Sequence, residues 1–352
     1  MTSHNNEDFF EFKMNPKMEY RRLGPSGLRV SALSLGGWLT LGGTVKGDPV
    51  KEIVKKAWEN GINFIDTAEA YAQGNSEREI GRVLKELKIR RSDLVLSTKV
   101  FFGVRKGPNA TGLSRKHIIE GLHESLERLQ TPYVDIYFAH RPDPTVPMEE
   151  VVRAFNYCIN AGLAHYWATS EWSAREIEEA FHVADKLGLV GPIAEQAQHN
   201  LLHRERPEVE YAPIYAKYGI KTTVWSALAS GKLTGKYNDG IPKDSRFANH
   251  SEFFKDTVAK LESPEGKAEL DKIRALTKYA REELNTGIIP LSLAYIAAMP
   301  NTGTIILGAS KPEQLDEQFE ALDLIPRITE EVREKVEAIL DNKPKEPRSM
   351  RP

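Results

Sequence analysis

From about residue 31 onward the chain alternates between two hydrophobic patterns. One is a short run of β-branched and apolar residues. The other is a longer segment whose apolar positions recur at helical spacing. The strand-like runs are SALSLG (31–36), NFIDT (63–67), LVLSTK (94–99), VDIYFAH (134–140), HYWATS (165–170), PIAEQAQ (192–198), KTTVWS (221–226) and TIILGAS (304–310). Between them, DPVKEIVKKAWENG carries Val50, Ile53, Val54 and Trp58 near one helical face and stops at Asn60-Gly61. SRKHIIEGLHESLERLQ does the same through Ile118, Leu122, Leu126 and Leu129, and Ser173 with Glu176 forms a capping-box start for another helix.

Strands that alternate with helices imply a parallel sheet, because parallel neighbours need crossovers. Eight runs is the number that closes into a (β/α)8 barrel. An open doubly wound sheet would carry a Gly-x-Gly-x-x-Gly turn after its first strand, and this sequence has none. The expected fold is therefore α/β, a (β/α)8 TIM barrel. Two additions are expected: an N-terminal β-hairpin turning at Pro25-Ser26-Gly27, and a long loop after strand 7. That interval runs from Ser226 to Thr304 and opens on SGKLTGKYNDGIPKDSR; loops of such length in a compact domain are usually functional. One domain is expected over 18–342, with mobile ends at 1–17 and 343–352.

Composition narrows the partners. Forty-eight basic and 50 acidic residues leave a formal charge of −2, which gives no basic surface for nucleic acid or membrane. The first 17 residues lack a signal-type apolar core, and no run is long enough to span a bilayer, so a cytoplasmic location is expected. The single cysteine, Cys158, sits in a helical pattern and reads as a packing residue. No spaced ligand set for a metal occurs.

Barrel chemistry gathers at the C-terminal ends of the strands. The runs end in Gly36-Gly37-Trp38, Asp66, Lys99, His140, Ser170-Glu171, Gln196, Trp225-Ser226 and Gly308-Ala309-Ser310. Buried Asp, Lys and His are costly unless paired, so their joint occurrence points to a site. Tyr71 follows Asp66 by five residues and reaches the same mouth. A tyrosine can protonate a carbonyl oxygen, but its ordinary pKa of about 10 lies about three units too high. An ammonium about 4 Å away at an effective dielectric of about 20 supplies about 4 kcal/mol, which covers that gap. Lys99 is thus expected to lower the Tyr71 pKa, Asp66 to hold Lys99 charged, and His140 to orient the substrate oxygen. Such a set moves a proton and carries no electrons, so a nicotinamide hydride donor is implied.

For that cofactor, Trp225 offers a stacking face, and Ser170 and Gln196 offer partners to a carboxamide. The segment from Ser226 to Arg246 reads as a cover for the pyrophosphate, with Lys236 and Arg246 supplying charge. GASKPEQLDEQ opens a helix after the eighth strand, where Ser310, Lys311 and Gln314 are placed for a 2′-phosphate. This favours NADPH over NADH.

The segments YRRLGPSGLRVSALSLGGW, GINFIDTAEAYAQGNSE, GLSRKHIIEGLHESLERLQTPYVDIYFAHRPDPTVPMEE, EQAQHNLLHRE, SGKLTGKY and ILGASKPEQL resemble the aldo-keto reductases. The resemblance runs from about Tyr20 to Pro344 and is strongest to the branch of potassium-channel beta subunits and related reductases. It implies NADPH/NADP+ as cofactor and Asp66, Tyr71, Lys99 and His140 as the catalytic four. It implies cofactor contacts at Trp38, Asp66, Ser170, Gln196, Trp225, Ser226, Leu228, Ser230, Lys236, Arg246, Gly308, Ser310, Gln314 and Glu317. Trp38, Tyr71, Phe101, Phe102 and His140 are expected to line a pocket for aldehydes, with ketones as a wider range. Relatives of this branch form tetramers or larger assemblies, so a homo-oligomer is among the implied states. Three departures stand out: FAHRPDP has His140 where the channel subunits resemble FANRPDP, Glu171 stands in place of Arg, and WSALASG replaces a Trp-Ser-Pro-Leu pattern at Ala227. Two other readings compete with a reductase. One is an NADPH-binding, redox-sensing accessory subunit of a channel; the other is a lyase forming a Schiff base at Lys99.

Overall fold

A computed structural model describes residues 9–243 and 245–345, the side chain of Arg246 excepted. Strands β1 (Tyr20–Arg22) and β2 (Arg29–Ser31) form an antiparallel hairpin. They are followed by β3 (Leu33–Gly36), β4 (Phe64–Asp66), β5 (Val95–Val100), β6 (Val134–Ala139), β7 (Ala164–Ser170), β8 (Ala194–Gln196), β9 (Lys221–Val224) and β10 (Thr302–Leu307). These eight are parallel and close on themselves, with β10 lying between β9 and β3 and Ile305 opposite Leu33. The fold is the (β/α)8 barrel expected from the alternation, with the hairpin ahead of it.

The hairpin plugs the N-terminal end of the barrel. Leu23 and Val30 are buried with Phe64, Val95, Ile136, Phe138 and Ile193, a core separate from the one under the helices. At the hairpin turn Gly24 has φ 58°, and a Cβ there would lie 1.9 Å from the Ile193 carbonyl oxygen. Only glycine satisfies both the left-handed backbone and that close approach.

Helices α1 (Asp48–Glu59), α2 (Asn75–Glu86), α3 (Arg115–Leu129), α4 (Met148–Asn160) and α5 (Ala174–Leu187) bury one face each on the barrel. On α1 that face includes Val50, Ile53, Val54 and Trp58, the stripe read from the sequence. The Ser173–Glu176 capping box forms, and the Gly188 left-handed cap ends α5. After β8 come α6 (Ala212–Tyr218) and then the long interval beyond β9. It contains α7 (Arg246–Asn249), α8 (Ser251–Glu262), α9 (Pro264–Glu283) and α10 (Ile288–Ala297). The last of these is buried on nearly every side, as its uniformly apolar sequence requires. Helices α11 (Glu313–Phe319), α12 (Ala321–Leu324) and α13 (Glu330–Leu340) complete the chain.

Some of the expected runs overshoot the strands. Only Ala194–Gln196 of PIAEQAQ and Lys221–Val224 of KTTVWS are strand; Pro192 and Ile193 precede the ladder, and beyond it Gln198 meets Trp225 in an isolated bridge. Within the segment expected to be a mobile end, residues 1–8 lie outside the described part, and the remainder is anchored through Phe10 and Phe12 while Met14 is exposed. Phe10 donates its N–H to the Lys88 carbonyl and accepts from Trp58 Nε1, and Phe12 sits edge-on to Trp58 at 4.8 Å. At the other end, 346–352 lie outside the described residues. Cys158 is fully buried on α4, and burial pushes its thiol up to about 12, consistent with a packing role.

Candidate active site

The expected four residues meet at the C-terminal mouth. Asp66 ends β4, Lys99 is the fifth residue of β5, and His140 follows the last residue of β6. Tyr71 opens a tight turn, Tyr71–Gly74, in which Ala72 and Gln73 have positive φ. Lys99 is fully buried, and its Nζ donates to Asp66 Oδ2 at 2.6 Å, the Thr67 carbonyl at 2.7 Å and Tyr71 Oη at 3.2 Å. Three acceptors satisfy the three donors of an ammonium. Asp66 is fixed in turn by Ser97 Oγ at 2.8 Å and Gln196 Nε2 at 3.1 Å. The His140 ring stands edge-on to Tyr71 at 5.6 Å and to Phe102 at 5.0 Å.

The contact between Lys99 and Tyr71 is present, but the phenol is not acidified. Burial holds the Tyr71 pKa well above 10, the Asp66 charge raises it further, and Arg141 only partly opposes them. The reason lies in the pair: with Asp66 at 2.6 Å, the Lys99 charge is largely neutralised and its field at the phenol is weak. Burial also pulls Lys99 below its ordinary value against the pull of Asp66. Tyr71 therefore keeps its proton throughout the ordinary pH range. His140 is driven well below its usual value by burial, then by Lys99 and Arg141, so near neutrality it is an uncharged imidazole. Its Nδ1 is buried without a partner among the described residues.

This predicts acid sensitivity with a defined sign. Below the unfolded histidine value of about 6.5, the unfolded chain binds a proton that buried His140 refuses. Stability should then fall as pH drops from there toward the depressed folded value, by up to about 1.4 kcal/mol per pH unit. Urea unfolding at neutral and mildly acid pH should show a smaller difference for His140→Asn than for the parent. Equal differences would mean that His140 titrates normally.

Aromatic residues rim the mouth. Phe102 is 48% exposed, packs on Phe101 at 5.1 Å and lies beside His140. Trp38 meets Phe253 of α8 at 6.0 Å, edge to face. Phe253, 68% exposed, was not singled out from the sequence; only its position in the long interval marked it. Glu69 was also missed. It is buried, its Oε1 accepts the backbone N–H of Phe101 and of Gly103 at 2.8 Å each, and it thereby shapes the loop that presents Phe102. Its only signal was a second carboxylate three residues beyond Asp66.

The other half of the mouth holds the residues expected around a cofactor. Ser170 ends β7, donating its hydroxyl to the Gln196 carbonyl, and Gln196 Nε2 reaches Thr223 Oγ1 as well as Asp66. Trp225 follows β9, and its Nε1 donates to Glu171 at 2.7 Å. Past it, Ser226, Ala229, Ser230 and Gly231 all have positive φ, folding the chain around Leu228 into a tight turn. Ser226 Oγ accepts the Ser230 N–H, and Lys236 Nζ lies 5.0 Å from the Tyr237 ring centre, beside Gly231. Successive turns of this kind present N–H groups to an anion. On the far side, Gln314 Oε1 accepts from the N–H groups of Ser310 and Lys311 at 2.7 and 3.3 Å. A phosphate at that loop has to displace the Gln314 oxygen. The Gly308 carbonyl is taken by Gln318, and Glu317 lies beside Gly287 with its carboxyl raised by burial and Glu320. The donors, the indole face and the cationic Lys236 together suit a dinucleotide; the Arg246 side chain lies outside the described residues. Among the described residues, no group of three His, Cys, Asp or Glu is arranged to hold a metal ion.

A closed eight-stranded barrel with a buried Asp–Lys pair, a phenol and a histidine at one mouth defines the class. The Aldo/keto reductase family model matches residues 32–341, and the chain belongs to that family. It is similar to a Schizosaccharomyces pombe protein named "Putative voltage-gated potassium channel subunit beta", at 52% identity over 93% of this chain and 94% of that protein. Rice and Arabidopsis thaliana proteins named "Probable voltage-gated potassium channel subunit beta" are 48% and 47% identical over 95% of this chain and all of their own length. No helix among the described residues is long and apolar enough to cross a membrane.

Proposed function

We propose that this protein is an NADPH-dependent reductase of aldehydes, with ketones as a wider range, working in the cytoplasm. The observation that carries the reading is the buried Lys99, whose ammonium joins Asp66 at 2.6 Å to the Tyr71 hydroxyl at 3.2 Å beside an uncharged His140. Ser170, Gln196, Trp225, the turn from Ser226 to Gly231 and Lys236 are the residues to hold the cofactor, with the loop at Ser310 to Gln314 for a 2′-phosphate. When bound, the nicotinamide supplies the hydride.

The chain's own residues supply the rest. The single N–H of a neutral His140 orients the carbonyl oxygen. Tyr71, kept protonated by its surroundings, gives its hydroxyl proton to that oxygen as negative charge develops there. An alkoxide is basic enough to take a proton from an unacidified phenol, so Lys99 need not lower the Tyr71 pKa. Its ammonium donates to the phenolic oxygen, which fixes the hydroxyl in place and leaves its own hydrogen free to face the carbonyl. With all three donors engaged, Lys99 is poorly placed to act as a free amine, which argues against a Schiff-base lyase.

The direct test is loss of NADPH absorbance with a panel of simple, aromatic and medium-chain aldehydes, repeated with NADH. Turnover is expected with NADPH in preference to NADH, and with aldehydes ahead of ketones. A second reading, an NADPH-binding accessory subunit of a channel, draws support from the names of the three relatives. Tight NADPH binding without turnover of any aldehyde would favour it over the reductase.

A further inference from the structure

Glu171 has no part in the proton chemistry, yet three elements of the mouth converge on it. It follows β7 with φ 57°, in the left-handed region that a glutamate seldom occupies. Such backbone persists where the surroundings over-determine it. Here they do. The Glu171 N–H donates to the Gln196 carbonyl at 3.1 Å, at the end of β8. Its Oε1 accepts both the Gln198 N–H and Trp225 Nε1, each at 2.7 Å. Its Oε2 receives Arg206 Nη1 at 3.2 Å, and Arg206 Nε is in turn held by Glu210 at 3.2 Å. The carboxylate thus ties β7, β8 and β9 together on the side opposite the catalytic lysine. It fixes the one polar edge of the Trp225 indole.

We infer that Glu171 is a positioning residue that sets the plane of Trp225 as the wall against which the nicotinamide packs. This rests on the cofactor reading above. An indole joined to the chain at Cβ can choose among several rotamers, and a bond to its N–H edge selects one of them. One charge-assisted hydrogen bond holds it here, and Arg206 keeps the carboxylate in place. Without that bond the ring has to be ordered by the cofactor itself, which costs affinity. An arginine at position 171 has no acceptor to offer the indole and would face Arg206 with like charge.

The test uses the full chain in four forms: parent, Glu171→Ala, Glu171→Gln and Trp225→Phe, with the Ala and Phe changes also combined. The first readout needs no cofactor. The Trp225 indole N–H signal, assigned by its loss in Trp225→Phe, should exchange slowly with deuterium in the parent and in Glu171→Gln, which keeps an acceptor oxygen. In Glu171→Ala it should exchange much faster. The second readout is NADPH affinity by equilibrium titration, expected to weaken about tenfold in Glu171→Ala, the scale of one charge-assisted hydrogen bond, and to be largely restored in Glu171→Gln. In the Trp225→Phe background, where no N–H remains, Glu171→Ala should add little. An unchanged indole exchange rate in Glu171→Ala, or the full tenfold loss persisting without the indole, would overturn the inference. If the parent fails to bind NADPH while its indole exchange still depends on Glu171, the cofactor reading fails and the positioning of Trp225 stands.

Discussion

Tyr71→Phe should lower kcat for carbonyl reduction by about 10²–10⁴-fold, the usual contribution of a positioned general acid, while leaving NADPH affinity unchanged. The change removes one oxygen atom, the one 3.2 Å from Lys99 Nζ, and leaves a ring of the same shape against His140. Single-turnover absorbance measurements with saturating NADPH isolate the step. Turnover that persists at the parental rate would sink the proton-donor role. The raised phenol adds a second expectation. An acid must carry its proton to act, and Tyr71 carries it to well above pH 10, so the parent should show no alkaline loss of rate below that value from Tyr71. A fall centred between neutrality and pH 9 would mean that Lys99 does acidify the phenol once substrate and cofactor exclude water.

Arg204→Leu should cost about 2–4 kcal/mol of unfolding free energy, below the cost of breaking a fully buried pair because the two carboxylates it strands are partly open to solvent. Arg204 is 4% exposed and grips two of them through parallel pairs: Glu208 at 2.8 and 2.8 Å, and Glu337 of α13 at 2.7 and 2.6 Å. His199 Nε2 pairs with Glu208 at 2.9 Å, and Tyr295 donates to Glu337 at 2.7 Å. Against burial, which raises it, His199 and Arg204 hold Glu208 down at about 2. A carboxyl held low contributes stability above its unfolded value of about 4.5, and that stability is lost as pH falls toward 2. Urea unfolding of Arg204→Leu, with Arg204→Lys alongside, reads the effect. The lysine keeps the charge and loses the fork, so it should fall between. A loss under about 1 kcal/mol would class the network with surface pairs.

The barrel was legible because its signal is redundant. Each strand run is apolar, short and bounded by a turn, and eight repetitions leave little freedom. Asp66, Lys99 and His140 were legible for the same reason: a charged or polar residue ending an apolar run has a position, and the barrel gives those positions a common destination. Strand termini were less sharp, since Trp225 and Gly308 continue the apolar pattern one residue past the ladder. What the sequence could not show were partnerships across large separations. Arg204 meets Glu337 across 133 residues, and Glu171 meets Trp225 across 54. No local pattern encodes either. The Tyr71 pKa differs from the sequence expectation because burial of the phenol and the charge of Asp66 act on it as well as Lys99, and the sequence shows neither the burial nor that Asp66 lies closer to Lys99 than the phenol does.

The hairpin below the barrel has a consequence for the order of events. With Leu23 and Val30 sealing one end and Gly24 seated against the Ile193 carbonyl, the described residues leave the strand-end mouth as the approach to the site. Everything that enters must leave by the way it came. Queueing is then a property of the architecture: in the proposed reaction the alcohol product has to clear the doorway before the next carbonyl substrate can use it.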